Sequence, residues 1–170
     1  SHSFERYFCD EKGGNELTDR LCEAIFHTCM DCAVTLMNNP GDYEARASVM
    51  VAAALSHNGL TGQGRNGDWS SHFIEHELSG EYDVTHGAGL AVITPAWMKY
   101  VYKYNPNLFL KWATRVMGVA HDFDNPENTI LEGIRRLESF FESLGIPTRL
   151  SRMPNVPDVT EDIMYKMAKR

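Results

Sequence analysis

The sequence has 170 residues, enough for one domain with its own hydrophobic core, and its 43% hydrophobic and 23% charged residues are ordinary for a globular protein. Acidic residues outnumber basic ones by 23 to 16, and the net charge of −7 argues against a nucleic-acid backbone or an anionic membrane surface as a partner. The longest apolar run, Val49 to Leu55, is much shorter than the roughly 20 residues that cross a bilayer. We therefore expect no nucleic acid and no membrane among its partners.

Apolar residues that recur at three- and four-residue steps predict helix along nearly the whole chain. The predicted helices cover residues 18–38, 42–58, 68–80, a stretch from about 85 with a kink at Pro95, 105–119, 125–145, and 160 to the end. The second helix is apolar on all sides between Val49 and Leu55, which predicts a central, buried position. No strand-like alternation occurs, so the expected fold class is all-α, a helical bundle that forms a single domain over residues 1–170.

The start of the chain differs from that of a newly translated protein. It begins with Ser1 rather than Met, shows no signal peptide, and starts inside a predicted helix. We therefore expect the sequence to be a fragment or a trimmed form of a longer protein.

The four cysteines predict reduced thiols. Cys29 and Cys32 form a C-x-x-C motif, which could be a redox pair or half of a zinc site. The motif lies in the middle of a predicted helix, not at its N-terminus where thiolates are stabilised, and it occurs only once. Buried reduced thiols are the simpler interpretation, and they are typical of a cytoplasmic protein.

A glycine-rich segment at residues 62–67 matches the G-x-G-x-x-G pattern of dinucleotide-binding folds. In those folds the pattern follows a strand and opens a helix within a βαβ unit. Here a predicted helix precedes it and no parallel strand follows. The segment is therefore predicted to be a connector that orients the next helix.

The residues with the clearest chemistry are three histidines within a stretch of 15 residues, His72, His76 and His86. Such a density of imidazoles, with carboxylates between them, favours a metal site. His72 and His76 lie four residues apart, on one face of a helix, and with Glu75 they spell H-x-x-E-H, a metalloprotease motif in which the glutamate is a general base. This alternative makes the protein a zinc hydrolase that uses His72, Glu75 and His76.

A second geometry pairs His72 with His86. On one straight helix these residues would be separated by about 21 Å, too far to share a metal. The pair therefore requires a chain reversal, which the sequence offers if Gly80 ends one helix, residues 81–84 connect, and Thr85 caps the next.

Several short segments together resemble the C-terminal part of the iron-containing alcohol dehydrogenases, in particular the butanol dehydrogenase branch. They are Asn58-Gly59-Leu60, Asp68-Trp69, His72-x-x-x-His76-Glu77-Leu78, His86-Gly87-Ala88, Arg115-Val116-Met117-Gly118-Val119 and Leu144-Gly145-Ile146-Pro147. The resemblance implies an all-helical metal-binding domain. It also implies that the family's N-terminal α/β cofactor domain and its extreme C-terminus lie outside these 170 residues.

The resemblance also implies roles for particular residues. The family holds its divalent metal with one aspartate and three histidines, the first two in an Asp-x-x-x-His motif. His2 matches the histidine of that motif, whose aspartate would precede Ser1, and His72 and His86 match the other two ligands. His76 matches a histidine that lies beside the nicotinamide and does not bind the metal, so it is the expected catalytic and cofactor-contacting residue and the candidate for relaying a proton.

By this resemblance the parent enzyme interconverts primary alcohols and aldehydes with NAD(P), using Fe²⁺ or Zn²⁺. Its partners are a small alcohol or aldehyde and, for the parent, a second copy in a homodimer. The 170-residue chain alone is expected to be inactive. Phe73 and Trp69 could line an alkyl pocket or belong to the core. A non-catalytic helical module whose histidines are incidental stays an alternative.

Overall fold

The computed structural model describes residues 1–9, 15–154, 156–157 and 159–167. Within these residues the chain forms eight α-helices and three short 3-10 turns, and it contains no strand. The helices are α1 (His2–Tyr7), α2 (Glu16–Asn38), α3 (Tyr43–His57), α4 (Ser70–Tyr82), α5 (His86–Val101), α6 (Pro106–Arg115), α7 (Pro126–Ser143) and α8 (Glu161–Met167). The predicted all-α class is confirmed.

Polar caps and prolines set several helix starts, and α2 begins at Glu16, two residues before its predicted start. The Asn15 side chain accepts hydrogen bonds from the backbone N–H groups of Leu17 and Thr18, and Asp42 accepts one from Ala45. Helices α6 and α7 each begin with a proline, which has no N–H to leave unpaired. Helix α6 ends at Arg115, four residues before the predicted end, because Gly118 adopts a left-handed φ of 61° and turns the chain.

The hydrophobic core lies where α1, α2, α5, α6 and α7 meet. It contains aromatic and aliphatic side chains from all five helices and the segments that follow them: Tyr7, Phe8, Cys22, Phe26, Met98, Tyr102, Phe109, Trp112, Ala113, Val116, Met117, Val119, Ile130, Ile134 and Leu137. Gly133 lets α7 approach α6 closely, since a Cβ there would lie 2.6 Å from the Ala113 Cβ. The core thus fixes α1 and α5, which carry two of the three predicted metal ligands.

The expected central burial of residues 49–55 is wrong. Of this run only Ala52 is buried, whereas Met50 is 73% exposed and Val51 is 59% exposed. Helix α3 packs mainly along α2 and touches α1 and the first 3-10 turn, and no other element of the described chain packs substantially against it. An all-round apolar run thus did not indicate a central helix here. None of the described helices is long and apolar enough to span a bilayer.

The chain reverses between α4 and α5, as a shared site for His72 and His86 requires. The predicted end of the first helix at Gly80 is wrong, because α4 continues to Tyr82. Asp83 then adopts a left-handed conformation with φ of 51°, which aspartate tolerates better than most side chains, and α5 begins at His86. Helix α5 continues through Pro95 to Val101.

Candidate metal centre

Three helices bring His2, His72 and His86 together. His2 lies in the first turn of α1, His72 in the first turn of α4, and His86 at the start of α5. The ring centroid of His72 is 4.6 Å from that of His2 and 5.3 Å from that of His86. The ring of His72 is therefore close to the rings of both other predicted ligands.

His72 is held as a metal-binding histidine usually is. It is buried, and the Glu5 Oε1 lies 2.9 Å from its Nδ1 while also accepting a hydrogen bond from its backbone N–H at 3.1 Å. In the described part of the chain its Nε2 is buried without any hydrogen-bond partner. A buried polar atom without a partner is rare, and a nitrogen opposite a carboxylate-bound Nδ1 is the atom that a metal normally occupies. The residues therefore fit a divalent metal.

Burial keeps the imidazoles of His2 and His72 neutral. Burial, together with the neighbouring histidines, lowers the pKa of His72 to about 4, and burial and His57 do the same to the pKa of His2. Burial raises the pKa of Glu5 to about 7. A neutral imidazole carries the lone pair that a metal needs, so these two histidines are in the binding form at pH 7.

His86 is positioned by Glu75, one helix turn after His72 on α4. The Nδ1 of His86 is hydrogen-bonded to Oε2 of Glu75, and Ser79 Oγ donates to Oε1 of the same carboxylate. Glu75 is fully buried, while the side chain of His86 is 43% exposed. The carboxylate therefore faces the histidine from within the protein, and the histidine faces the outside.

His76 lies at the edge of the same cluster. It is exposed, and its ring centroid is 5.4 Å from that of His86 and 6.2 Å from that of His72. Glu75, His76 and His86 also offer ligand atoms that lie within 4.8 Å of one another, so these three could hold an ion themselves. We favour the set around His72, because both oxygens of Glu75 already have partners and the other set leaves the buried Nε2 of His72 unsatisfied.

The buried position of Glu75 also weighs against the hydrolase alternative. A general base must reach the water that it activates, within about 3 Å or through one further water. Glu75 is enclosed and directed at His86 and Ser79. The H-x-x-E-H spacing therefore does not produce the geometry that the motif has in metalloproteases.

Two aromatic residues flank the histidines in different ways. Trp69 is half-buried, and its ring lies 5.7 Å from that of His2 and 5.4 Å from that of His72. Phe73 is 67% exposed, so it does not belong to the core. Phe73 and His76 line an apolar groove of about 650 Å³ between α4, α5 and α8, together with Ile74, Ile93, Leu150, Met164 and Met167.

The glycine-rich segment 62–67 is a connector, as predicted, since it lies between α3 and α4 with no strand beside it in the described chain. Arg65 forms a buried ion pair with Asp19 at 2.5 Å, which ties the segment to α2. Gly67 leaves room for the Trp69 indole, because a Cβ there would lie 2.6 Å from its Nε1. Gly67 thus permits close packing of Trp69, whose ring lies beside His2 and His72.

Two neighbours of the site were not predicted from the sequence, His57 and the bonding role of Glu5. The His57 ring lies 3.9 Å from that of His2, and its Nδ1 is 2.9 Å from the Ala53 carbonyl oxygen. A lone histidine at a helix end gives no pattern that would have revealed it. Glu5 is three residues from His2 and shares its helix face, a spacing that could have drawn attention to it.

The cysteines take no part in this site. None of the four forms a disulfide; Cys9 and Cys22 are buried, while Cys29 and Cys32 are only half-buried. Burial raises the pKa of the Cys29 thiol, which disfavours a reactive thiolate. The C-x-x-C motif is therefore best explained by helix packing.

Comparison with known proteins places the chain among the relatives that its histidine segment suggested. Residues 1–169 match the Fe-containing alcohol dehydrogenase family, C-terminal. NADH-dependent butanol dehydrogenases A and B of Clostridium acetobutylicum are 40% and 39% identical over 100% and 98% of this chain, and 43% and 42% of their own lengths are covered. The solved structure of NADH-dependent butanol dehydrogenase A from Thermotoga maritima superposes with a TM-score of 0.87 and 36% identity, over 99% of this chain and 40% of that one. The chain thus spans less than half the length of these relatives.

Proposed function

The chain belongs to the iron-containing alcohol dehydrogenase family, and on that basis we propose that it is the metal-binding helical domain of an enzyme that interconverts primary alcohols and aldehydes with NAD(P). Butanol and butanal are the proposed substrates, because relatives at 40% and 39% identity are named NADH-dependent butanol dehydrogenases. The proposal concerns the whole protein. This chain covers 43% and 42% of these relatives, and we place the nicotinamide-binding part in the remainder of their length.

His2, His72 and His86 are the residues that would hold the metal. The observation that carries this assignment is the buried Nε2 of His72, which lacks a partner in the described chain while two other imidazoles lie beside it. Imidazoles suit both Fe²⁺ and Zn²⁺. When bound, such an ion supplies a Lewis acid for the substrate oxygen, and the nicotinamide supplies or accepts the hydride.

The chain's own side chains then hold the site and move the proton. Glu5 and Glu75 fix two imidazoles in place, and the Trp69 ring packs beside His2 and His72. His76 is exposed and adjacent to His86, so it is the group that we expect to exchange a proton with the substrate hydroxyl and with water. The same exposure leaves it free to contact a nicotinamide ring.

The test compares His86→Ala with His76→Ala in the protein expressed from its complete coding sequence. We expect His86→Ala to lose most of the bound metal, measured by elemental analysis after dialysis, because it removes a ligand. His76→Ala should keep the metal but reduce the rate of butanal reduction with NADH or NADPH, or shift its pH dependence.

The opposite result would overturn the assignment. If His76→Ala removes the metal and His86→Ala retains it, the ion lies on the H-x-x-E-H residues, and the hydrolase interpretation becomes the better one. A wild-type protein that binds no metal at all and reduces no aldehyde would instead support a non-catalytic helical module.

A further inference from the structure

We propose that Glu75 is a positioning residue for the metal site: its buried carboxylate orients the His86 imidazole, and Ser79 and Gly89 in turn hold the carboxylate. The inference rests on the proposed function, since it presumes that His86 binds the metal. It goes further by assigning a role to a glutamate that the H-x-x-E-H motif would make a general base.

The burial of Glu75 is the first argument. A carboxylate that is fully shielded from water is costly unless its oxygens have partners, and an apolar residue is the usual choice at a buried helix position. Both oxygens of Glu75 do have partners, His86 Nδ1 on Oε2 and Ser79 Oγ on Oε1. Ser79 also lies 3.1 Å from the Val84 carbonyl oxygen, which connects this pair to the turn before α5.

The contrast in exposure between the two partners is the second argument. His86 begins α5 with its side chain 43% exposed, so packing alone does not fix its ring. Glu75 is anchored in the interior and therefore restrains the ring rather than the reverse. With Nδ1 engaged by the carboxylate, Nε2 is the ring nitrogen left for a metal, and a carboxylate contact also makes it a better donor.

Gly89 supplies the third argument, because the space for the carboxylate exists only through the absence of a side chain. A Cβ on Gly89 would lie 2.3 Å from Glu75 Oε1 and 2.7 Å from its Cγ, closer than real contacts allow. Gly89 is three residues after His86, so both lie on the side of α5 that faces α4. One helix turn thus provides the imidazole and the cavity for the group that orients it.

The same arrangement occurs a second time in the cluster. Glu5 is buried and contacts the Nδ1 of His72, as Glu75 contacts the Nδ1 of His86. The two carboxylates come from different helices, α1 and α4, and each faces a ligand from another element. Two independent carboxylate–imidazole pairs at one candidate metal centre favour orientation of the ligands over incidental ion pairing.

The experiment measures zinc affinity by competition with a chromophoric chelator, on protein expressed from its complete coding sequence. Glu75→Gln should weaken zinc binding by roughly 10- to 100-fold, the usual effect of removing such a partner. Gly89→Ala should weaken zinc binding too, although it removes no carboxylate, because the added Cβ would displace that of Glu75. Glu77→Gln, on the same helix but facing the apolar groove, is the matched control and should change little.

A double-mutant cycle separates positioning from a general loss of structure. If Glu75 acts through His86, Glu75→Gln should have almost no further effect on zinc affinity in a His86→Ala background. An equal loss in both backgrounds would overturn the proposal. If Glu75→Gln fails to fold by circular dichroism, Ser79→Ala replaces it, with a smaller weakening expected and unchanged affinity contradicting the role.

The outcomes distinguish this inference from the proposed function. Wild-type protein that binds no zinc would refute the proposed metal site itself. Wild-type protein that binds zinc, with Glu75→Gln and Gly89→Ala binding equally well, would leave the metal site in place and refute only the role of Glu75.

Discussion

The α6–α7 pair and the α4–α5 pair contain similar numbers of helical residues, but α7 and α4 bury different kinds of side chain. The buried residues of α7 are Thr129, Ile130, Gly133, Ile134 and Leu137, a stripe with no charged group. Of the four buried residues of α4, three are polar, namely Ser71, His72 and Glu75. The first pair is stabilised by apolar packing, whereas the second buries groups that need specific partners. Departures from the apolar pattern thus mark the region where chemistry is expected.

The largest expected effect comes from removing a buried aromatic ring from the apolar α6–α7 pair. Trp112 of α6 is fully buried and contacts the rings of Phe4 and Phe8. Trp112→Ala should lower the free energy of unfolding by about 3–5 kcal/mol, measured by urea denaturation. The zinc stoichiometry of the protein that remains folded should not change. A loss below about 1 kcal/mol would mean that α6 does not anchor the core.

Zinc binding at the α4–α5 pair should raise the stability of the folded protein. A ligand that binds only the folded state at 100 times its Kd stabilises it by about 2.7 kcal/mol. Zinc should therefore raise the thermal midpoint of the wild-type protein, and a chelator should reverse the rise. His86→Ala should reduce the increase, while Trp112→Ala should keep it, since the core does not bind the ion. An equal zinc effect in His86→Ala would place the ion elsewhere.

The smallest effect concerns α3, where the sequence expectation failed. Met50→Lys should change the stability of this 170-residue chain by less than about 0.5 kcal/mol, because the side chain is 73% exposed. Ala52→Lys, two residues further on, would force a long cation into a buried position and should be strongly destabilising. Urea denaturation of both variants provides the test. Comparable losses of stability in the two variants would mean that both faces of α3 are buried to the same extent.

The sequence predicted the helices well because their signals are local. Helix starts were predicted at Asp42, Pro106 and Pro126, where a side chain caps a backbone N–H or a proline has none to leave unpaired. Burial was less predictable, since it depends on which neighbours a helix finds. The run from 49 to 55 gave no sign that α3 would lie at the edge of the described structure.

The candidate metal site was likewise only partly predictable from the sequence. The cluster of His72, His76 and His86 was visible in the sequence, and the requirement for a chain reversal followed from helix geometry alone. The resemblance to a family was needed to include His2, because 70 positions separate it from His72. Neither route indicated that Glu75 would turn inward to His86, since that depends on the cavity at Gly89.

The contact between Glu5 and His72 joins residues that are 67 positions apart in the chain. Closing so long a loop costs entropy that only the assembled core can offset. The imidazole cluster should therefore form late in folding, after α6 and α7 have met, and a metal ion would bind an almost complete protein rather than nucleate it.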